Sequence, residues 1–103
     1  MKIKISAGAE RDIEDGCDFY REIDPNLASY FNDSIAADID SLMLYGGIHA
    51  TVNGWHYTFA SRFPFVIWYG IKDGFVIVYA VLDGRREPSN NDRTLRQRRR
   101  AEN

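Results

Sequence analysis

Phe65-Val66-Ile67-Trp68-Tyr69-Gly70-Ile71-Lys72, then Asp73-Gly74, then Phe75-Val76-Ile77-Val78-Tyr79-Ala80-Val81-Leu82: these residues decide the fold. The first run places Phe65, Ile67, Tyr69 and Ile71 on one face, the period of a strand. Asp-Gly between two such runs is a hairpin signal, because both residues tolerate positive φ at little cost. The second run is apolar on both faces, so it reads as a buried central strand. Asp83-Gly84 closes it.

Toward the N-terminus, Pro64 separates the hairpin from Trp55, Tyr57 and Phe59, which alternate with His56, Thr58 and Ala60 as a further strand does. Residues 47–54 read as a polar loop. Two helices precede it. In the first, Ala7 to Ile23, the positions Ile13, Cys17 and Tyr20 recur at helical spacing, and Ser6 is its expected N-cap. Gly16 in its middle is expected to cost about 1 kcal/mol against Ala. Asp24-Pro25 starts the second helix, since Asp caps and Pro suits the first helical position. Leu27, Phe31, Ile35, Ile39 and Leu42 run down one face of it, and Gly46-Gly47 ends it. So short a link makes the two helices antiparallel. Lys2 to Ser6 alternates as a short edge strand.

Toward the C-terminus, residues 88–91 read as loop. Residues 94–101 suit either a short Arg-rich helix or no fixed structure, with one Leu to bury. The expected class is therefore α+β, in the order β-α-α-β-β-β, with an antiparallel helical hairpin packed on one face of an antiparallel sheet. One domain spans residues 1–88 and a flexible basic tail follows at 89–103. No internal repeat is present.

A chain of 103 residues holds one core, and 45% hydrophobic content makes that core substantial. The longest apolar run, Phe75 to Leu82, falls far short of the ~18 residues of a membrane span. The first six residues lack a signal-peptide core, and the single Cys17 excludes an intrachain disulfide, so a reducing, cytoplasmic setting is expected. The net charge of −2 hides an asymmetry. Residues 1–83 carry 6 Lys/Arg against 12 Asp/Glu, whereas residues 84–103 carry 7 Arg against 3 Asp/Glu. The basic end suits a polyanion or an acidic partner, or a solvated tail.

Few residues offer chemistry. Gly46-Gly47 lacks the spacing and the Lys of a phosphate loop. His49 and His56 have no ligand partner at helical spacing, so no metal or cofactor is expected. Cys17 sits on an apolar helix face, where packing is the reading over nucleophile. Asp83 suits a turn better than a general base. The aromatics from Trp55 to Tyr69 suit strand core, or base stacking. Arg62, at a strand end, and Arg85 and Arg86, beyond the last strand, are more informative. In an antiparallel meander these ends become neighbours, giving a guanidinium cluster for phosphate or carboxylate, or solvent-facing Arg paired with local acids.

Two stretches together carry a family resemblance: Arg62-Phe63-Pro64-Phe65-Val66-Ile67-Trp68-Tyr69 and Ala80-Val81-Leu82-Asp83-Gly84-Arg85-Arg86-Glu87-Pro88. With the strand–helix–helix–meander order, they resemble the RelE/ParE superfamily of type II toxin–antitoxin toxins, the plasmid stabilisation proteins. The resemblance covers Lys2 to about Pro88. It implies a toxin that is neutralised by a cognate antitoxin. Val66 stands where many relatives carry Arg, and Asp83 where many carry His. No Lys follows Lys72 and no Tyr or His follows Tyr79, although the RNase branch resembles general acid–base catalysts using such groups. A pI near 5.6 also suits ribosomal RNA poorly. The resemblance therefore leans to the ParE-like branch, which inhibits DNA gyrase by binding. A ribosome-dependent mRNA endonuclease using Arg62, Arg85, His56 and Asp83 is the enzymatic alternative. A non-toxic member that only binds a partner is the third reading. In the binding readings Arg62, Arg85 and Arg86 contact target or antitoxin.

Overall fold

The computed structural model describes residues 1–86 and 88–102. Strand β1 (Lys2–Ile5) leads into helix α1 (Ala7–Ile23) through Ser6, whose Oγ accepts the Ala9 N–H at 3.0 Å. Helix α2 (Pro25–Asp40) begins as the sequence requires, with Asp24 Oδ1 accepting the Asn26 N–H at 2.8 Å and Pro25 opening the helix. The expected single helix to Gly46 is broken. Ser41 donates its hydroxyl to the Asp38 carbonyl at 2.6 Å, a back-bond that bends helices, and a one-turn helix α3 (Leu42–Tyr45) follows. Leu42 thereby stays on the same buried face as Phe31, Ile35 and Ile39.

The expected loop at 47–54 contains a strand. Strands β2 (Thr51–Val52) and β3 (Trp55–Phe59) form a hairpin through Asn53-Gly54, with φ of +52° and +83°. The Asn-Gly pair was the available signal, but a strand of two residues has no periodicity to read. Strands β4 (Phe65–Lys72) and β5 (Phe75–Asp83) follow, joined as expected at Asp73-Gly74, again with positive φ at both positions. The sheet order is β1-β5-β4-β3-β2. It is antiparallel throughout except at one edge, where β1 runs parallel to β5 from Lys2↔Phe75 to Ile5↔Val78.

Tyr79 is an extra residue on β5: Trp68 pairs with Ala80, and Tyr69 with Val78. Such a bulge shifts the side-chain phase, and Tyr79 and Ala80 both point to one face while Val78 and Val81 point to the other. It also removes the Tyr79 carbonyl from the ladder. Ser6 Oγ donates to that carbonyl at 3.2 Å, and Arg98 Nη1 at 2.8 Å.

On one face, the helical hairpin buries Phe31, Ile35, Ile39 and Leu42 against Ile67, Tyr69, Val78 and Val81. Here Gly16 has its explanation: a Cβ there would lie 2.6 Å from the Phe31 ring, so Gly permits the close approach of α1 and α2. The helix-propensity cost expected from the sequence is offset by this packing.

The opposite face is built from β3 and the C-terminal segment. Trp55 and Tyr57 point away from the hairpin, and His56 toward it, the reverse of the phase that hydrophobicity alone suggests. Residues 88–91, read as loop, and 94–101, left open between a short helix and no fixed structure, belong to one helix, α4 (Pro88–Glu102), in place of the expected flexible tail. It lies on Trp55, Tyr79, Ala80 and Leu82 through its one leucine, Leu95, which is 1% exposed. The rest of its contact is made by polar side chains. Arg98 grips Asp12 of α1 with Nη1 and Nη2 at 2.8 and 2.9 Å. Arg99 lies over the Trp55 ring at 3.9 Å, and Lys4 pairs with Glu102 at 3.2 Å. Arginine stems cover apolar surface while their heads pair, so an interface with little apolar signature can still pack.

Candidate functional site

The loop between β3 and β4 adjoins the end of β5, where the Gly84 N–H donates to the Pro64 carbonyl at 2.8 Å. Phe63 anchors this loop among Tyr20, Tyr30 and Phe31, with ring centroids 5.0–5.5 Å apart. Ser61 ties it to α2, its N–H and Oγ both donating to the Asp38 carboxylate at 2.9 and 2.8 Å. Arg62 is therefore a loop residue. Its exposed guanidinium donates to the Tyr30 hydroxyl at 2.9 Å.

Arg85 closes a fork on Asp83, with Nε to Oδ1 at 2.9 Å and Nη2 to Oδ2 at 2.6 Å. The Arg85 backbone N–H adds a third bond to Oδ1 at 2.9 Å. Those bonds hold the Asp83 carboxyl down at about 2, well below its ordinary value. Arg86 lies on the other side of the sheet, half-buried, with Nη2 donating to Thr94 Oγ1 at 3.1 Å. Arg62, Arg85 and Arg86 thus rise from one end of the sheet, as the antiparallel order requires. They diverge toward α2, α1 and α4 and do not form one cluster.

His56 belongs elsewhere. It stacks on Tyr69 at 5.0 Å, and its Nδ1–H donates to the His49 carbonyl at 2.9 Å. That bond places the proton of the neutral ring on Nδ1. His49 Nδ1 in turn meets the Tyr69 hydroxyl at 2.5 Å, and the hydroxyl accepts the Gly47 N–H at 3.0 Å. Both histidines pin residues 47–50 to the sheet. His56 pairs with Tyr69 and Asp83 with Phe65, so four strand steps on β4, roughly 13 Å, separate them. His56 and Asp83 cannot work on one atom. Cys17 packs against α2, its Sγ 3.9 Å from the Ala28 carbonyl, and burial pushes the thiol up. Among the described residues no three His, Cys, Asp or Glu side chains converge as a metal site needs.

The second sheet face carries a groove of about 510 Å³ between α4 and the outer strands. The cross-strand pairs Tyr57↔Trp68 and Phe59↔Val66 form its floor, and Asn91 and Leu95 of α4 form one wall. Arg86 stands in its lining. Asp92, also in the lining, accepts the Trp55 Nε1–H at 3.3 Å and is ion-paired with Arg96. Two buried polar atoms here, Trp68 Nε1 and Asn91 Oδ1, have no hydrogen-bond partner among the described residues. Each such group carries a desolvation cost of about 1–3 kcal/mol. The outward phase of the β3 aromatics is the signal that could have revealed the groove, but only α4 gives it a wall.

No protein-family model matches the sequence, and no curated protein matches it. A solved structure does match. A chain of the chromosomal ParDE TA system from P. aeruginosa superposes with a TM-score of 0.74, over 81% of this chain and 95% of that one, at 18% sequence identity. The correspondence reaches nearly the whole of that chain and rests on shape rather than sequence. The strand, helical hairpin and meander described above are the fold of that ParDE chain.

Proposed function

We propose that this chain is the toxin component of a type II toxin–antitoxin module, ParE-like in action. It binds a macromolecular target such as DNA gyrase in the cytoplasm and is silenced by a cognate antitoxin. The observation that carries this reading is the superposition on nearly the full length of a ParDE chain. Local geometry supports binding over catalysis. A base must be free to take a proton near the working pH, and Asp83 is held ionised by the Arg85 fork. Val66, where the resemblance implies Arg in many relatives, is buried in one apolar cluster with Trp68 and Leu82. The exposed guanidinium of Arg62 and the ion-paired one of Arg85 remain available to carboxylates or phosphates at the rim.

Inducible expression in a bacterial host tests the reading. Growth should arrest, and co-expression of a short reading frame encoded beside this gene, where one is found, should relieve it. Purified protein should inhibit gyrase supercoiling and leave ribosome-bound mRNA intact. Codon-positioned cuts abolished by Arg85→Ala would instead establish the endonuclease. Antitoxin binding without growth arrest would identify a non-toxic member.

A further inference from the structure

Helix α4 turns one side to the sheet and the other to solvent, and its charges are sorted between them. Leu95 is buried, and Arg98 is committed to Asp12 and the Tyr79 carbonyl. Both acids of the helix are spent, Asp92 on the Trp55 Nε1–H and Arg96, and Glu102 on Lys4. At about 100° per residue, Arg93, Arg96 and Arg100 fall within about 60° of arc on the solvent side, over about 10 Å of axis. All three are exposed, and Arg93 and Arg100 make no ion pair among the described residues. Arg99 flanks this stripe, over the Trp55 ring.

The whole-chain charge of −2 misstates the field here. Residues 7–40, the hairpin on the other side of the sheet, hold ten Asp/Glu against two Arg, whereas residues 88–102 hold five Arg against two acids. Asp12, the hairpin acid that reaches α4, is already paired with Arg98. Even the shortest dimension of the molecule, 22 Å, exceeds the Debye length of about 8 Å at physiological salt, so the acids of the far face are screened. A polyanion approaching α4 meets its arginines.

We propose that the outer face of α4 binds the phosphate backbone of duplex DNA without sequence preference, through Arg93, Arg96 and Arg100. Every cation after Lys72 is an arginine, whose planar fork fits phosphate oxygens. The stripe holds no large apolar or aromatic side chain, so it has nothing to sink into a lipid surface or to stack on unpaired bases. Shape favours DNA over RNA. A helix is about 10–12 Å across and the major groove of B-form DNA about 12 Å wide, whereas the A-form major groove is too narrow for side chains. Arg93 and Arg100 each take a phosphate, and Arg96 shares its five donors between Asp92 and a third. The inference goes beyond the toxin reading and does not depend on it.

The test is fluorescence anisotropy of a labelled, mixed-sequence DNA duplex titrated with the full chain at several salt concentrations. Three phosphate contacts give a log–log salt slope of about −2.7, so affinity should fall about fortyfold between about 50 and 200 mM salt. Arg93→Gln combined with Arg100→Gln removes two contacts and should bring the slope to about −0.9. Its melting curve should not move, since neither side chain has an ion-pair partner to lose. Arg21→Gln, on the acidic α1, should leave affinity and slope as they were. No binding at about 50 mM salt, a slope unmoved by the double variant, or an equal effect of Arg21→Gln would overturn the proposal. Tighter binding of an RNA duplex or of oligothymidylate would replace it with another nucleic acid. Tighter binding of phosphatidylserine-containing vesicles would replace it with a lipid surface. Growth arrest and its relief without DNA binding would sink this inference alone. DNA binding without growth arrest would sustain it and sink the toxin reading.

Discussion

The two faces of the sheet are closed by different physics. On the hairpin face, Phe31, Ile35, Ile39 and Leu42 meet Ile67, Tyr69 and Val78 as buried apolar packing, with the rings of Tyr20, Tyr30 and Phe65 around Phe31 and Phe63. On the α4 face, one leucine, the mostly buried Arg98–Asp12 pair, the Lys4–Glu102 pair and one stacked arginine hold a helix against the sheet. Apolar burial is non-directional and hard to undo locally, whereas a polar latch depends on a few geometries. The first face stabilises the domain; the second can be rearranged at lower cost, and it carries the groove.

The largest test of that contrast is a pair of truncations. Phe31→Ala, at a site with no exposure and a crowded aromatic surround, should cost about 3–5 kcal/mol. Leu95→Ala removes an equally buried side chain, but α4 can settle or lift away, so about 2 kcal/mol is expected. Denaturant unfolding compares them, and equal losses would erase the distinction between the faces.

Arg98→Ala sharpens the contrast next. It leaves Asp12 with the Val81 N–H as a remaining partner and the Tyr79 carbonyl with Ser6 Oγ. About 1.5–3 kcal/mol should be lost, the value of a hydrogen bond to a charged group. The distinguishing readout is hydrogen exchange: α4 amides should lose protection while those of α2 and β5 keep theirs. Gly8 lies beneath this latch, and a Cβ there would fall 2.2 Å from Arg98 Cδ. Gly8→Ala should therefore loosen the same helix.

The smallest effect concerns the Asp83–Arg85 fork, an exposed pair at the end of the sheet. The folded carboxyl sits at about 2 against an ordinary 3.8, a depressed value. Its stabilisation is thus fully present above about pH 4 and is lost as pH falls toward 2. Solvent and salt screen it, since the Arg85 side chain is 80% exposed. Asp83→Asn should leave the melting temperature at pH 7 nearly unchanged and flatten only the acid limb of the stability profile. A large loss at pH 7 would place the fork in the fold rather than at a rim.

Much of the hairpin face was legible in the sequence because its signals are local. Leu27, Phe31, Ile35 and Ile39 keep helical spacing, Asp24-Pro25 caps and starts a helix, and Asp73-Gly74 turns a hairpin wherever it occurs between apolar runs. The candidate site was legible only as an address. The order of strands brings Arg62, Arg85 and Arg86 to one end of the sheet, but the direction of each side chain depends on Tyr30, Asp83 and Thr94, which lie on three different elements.

Local patterning thus determined the α+β class, the helical hairpin, the meander and the buried β5, since periodicity and turn chemistry act between residues close in the chain. Tertiary structure alone decided the rest. The bulge at Tyr79 swaps the phase of β5, α4 finds in Asp12 a partner eighty-six residues away, and Trp55 and Tyr57 turn outward to meet it. No periodicity encodes such pairings, because the free energy of an arginine stem on a distant aromatic ring exists only once both surfaces are built.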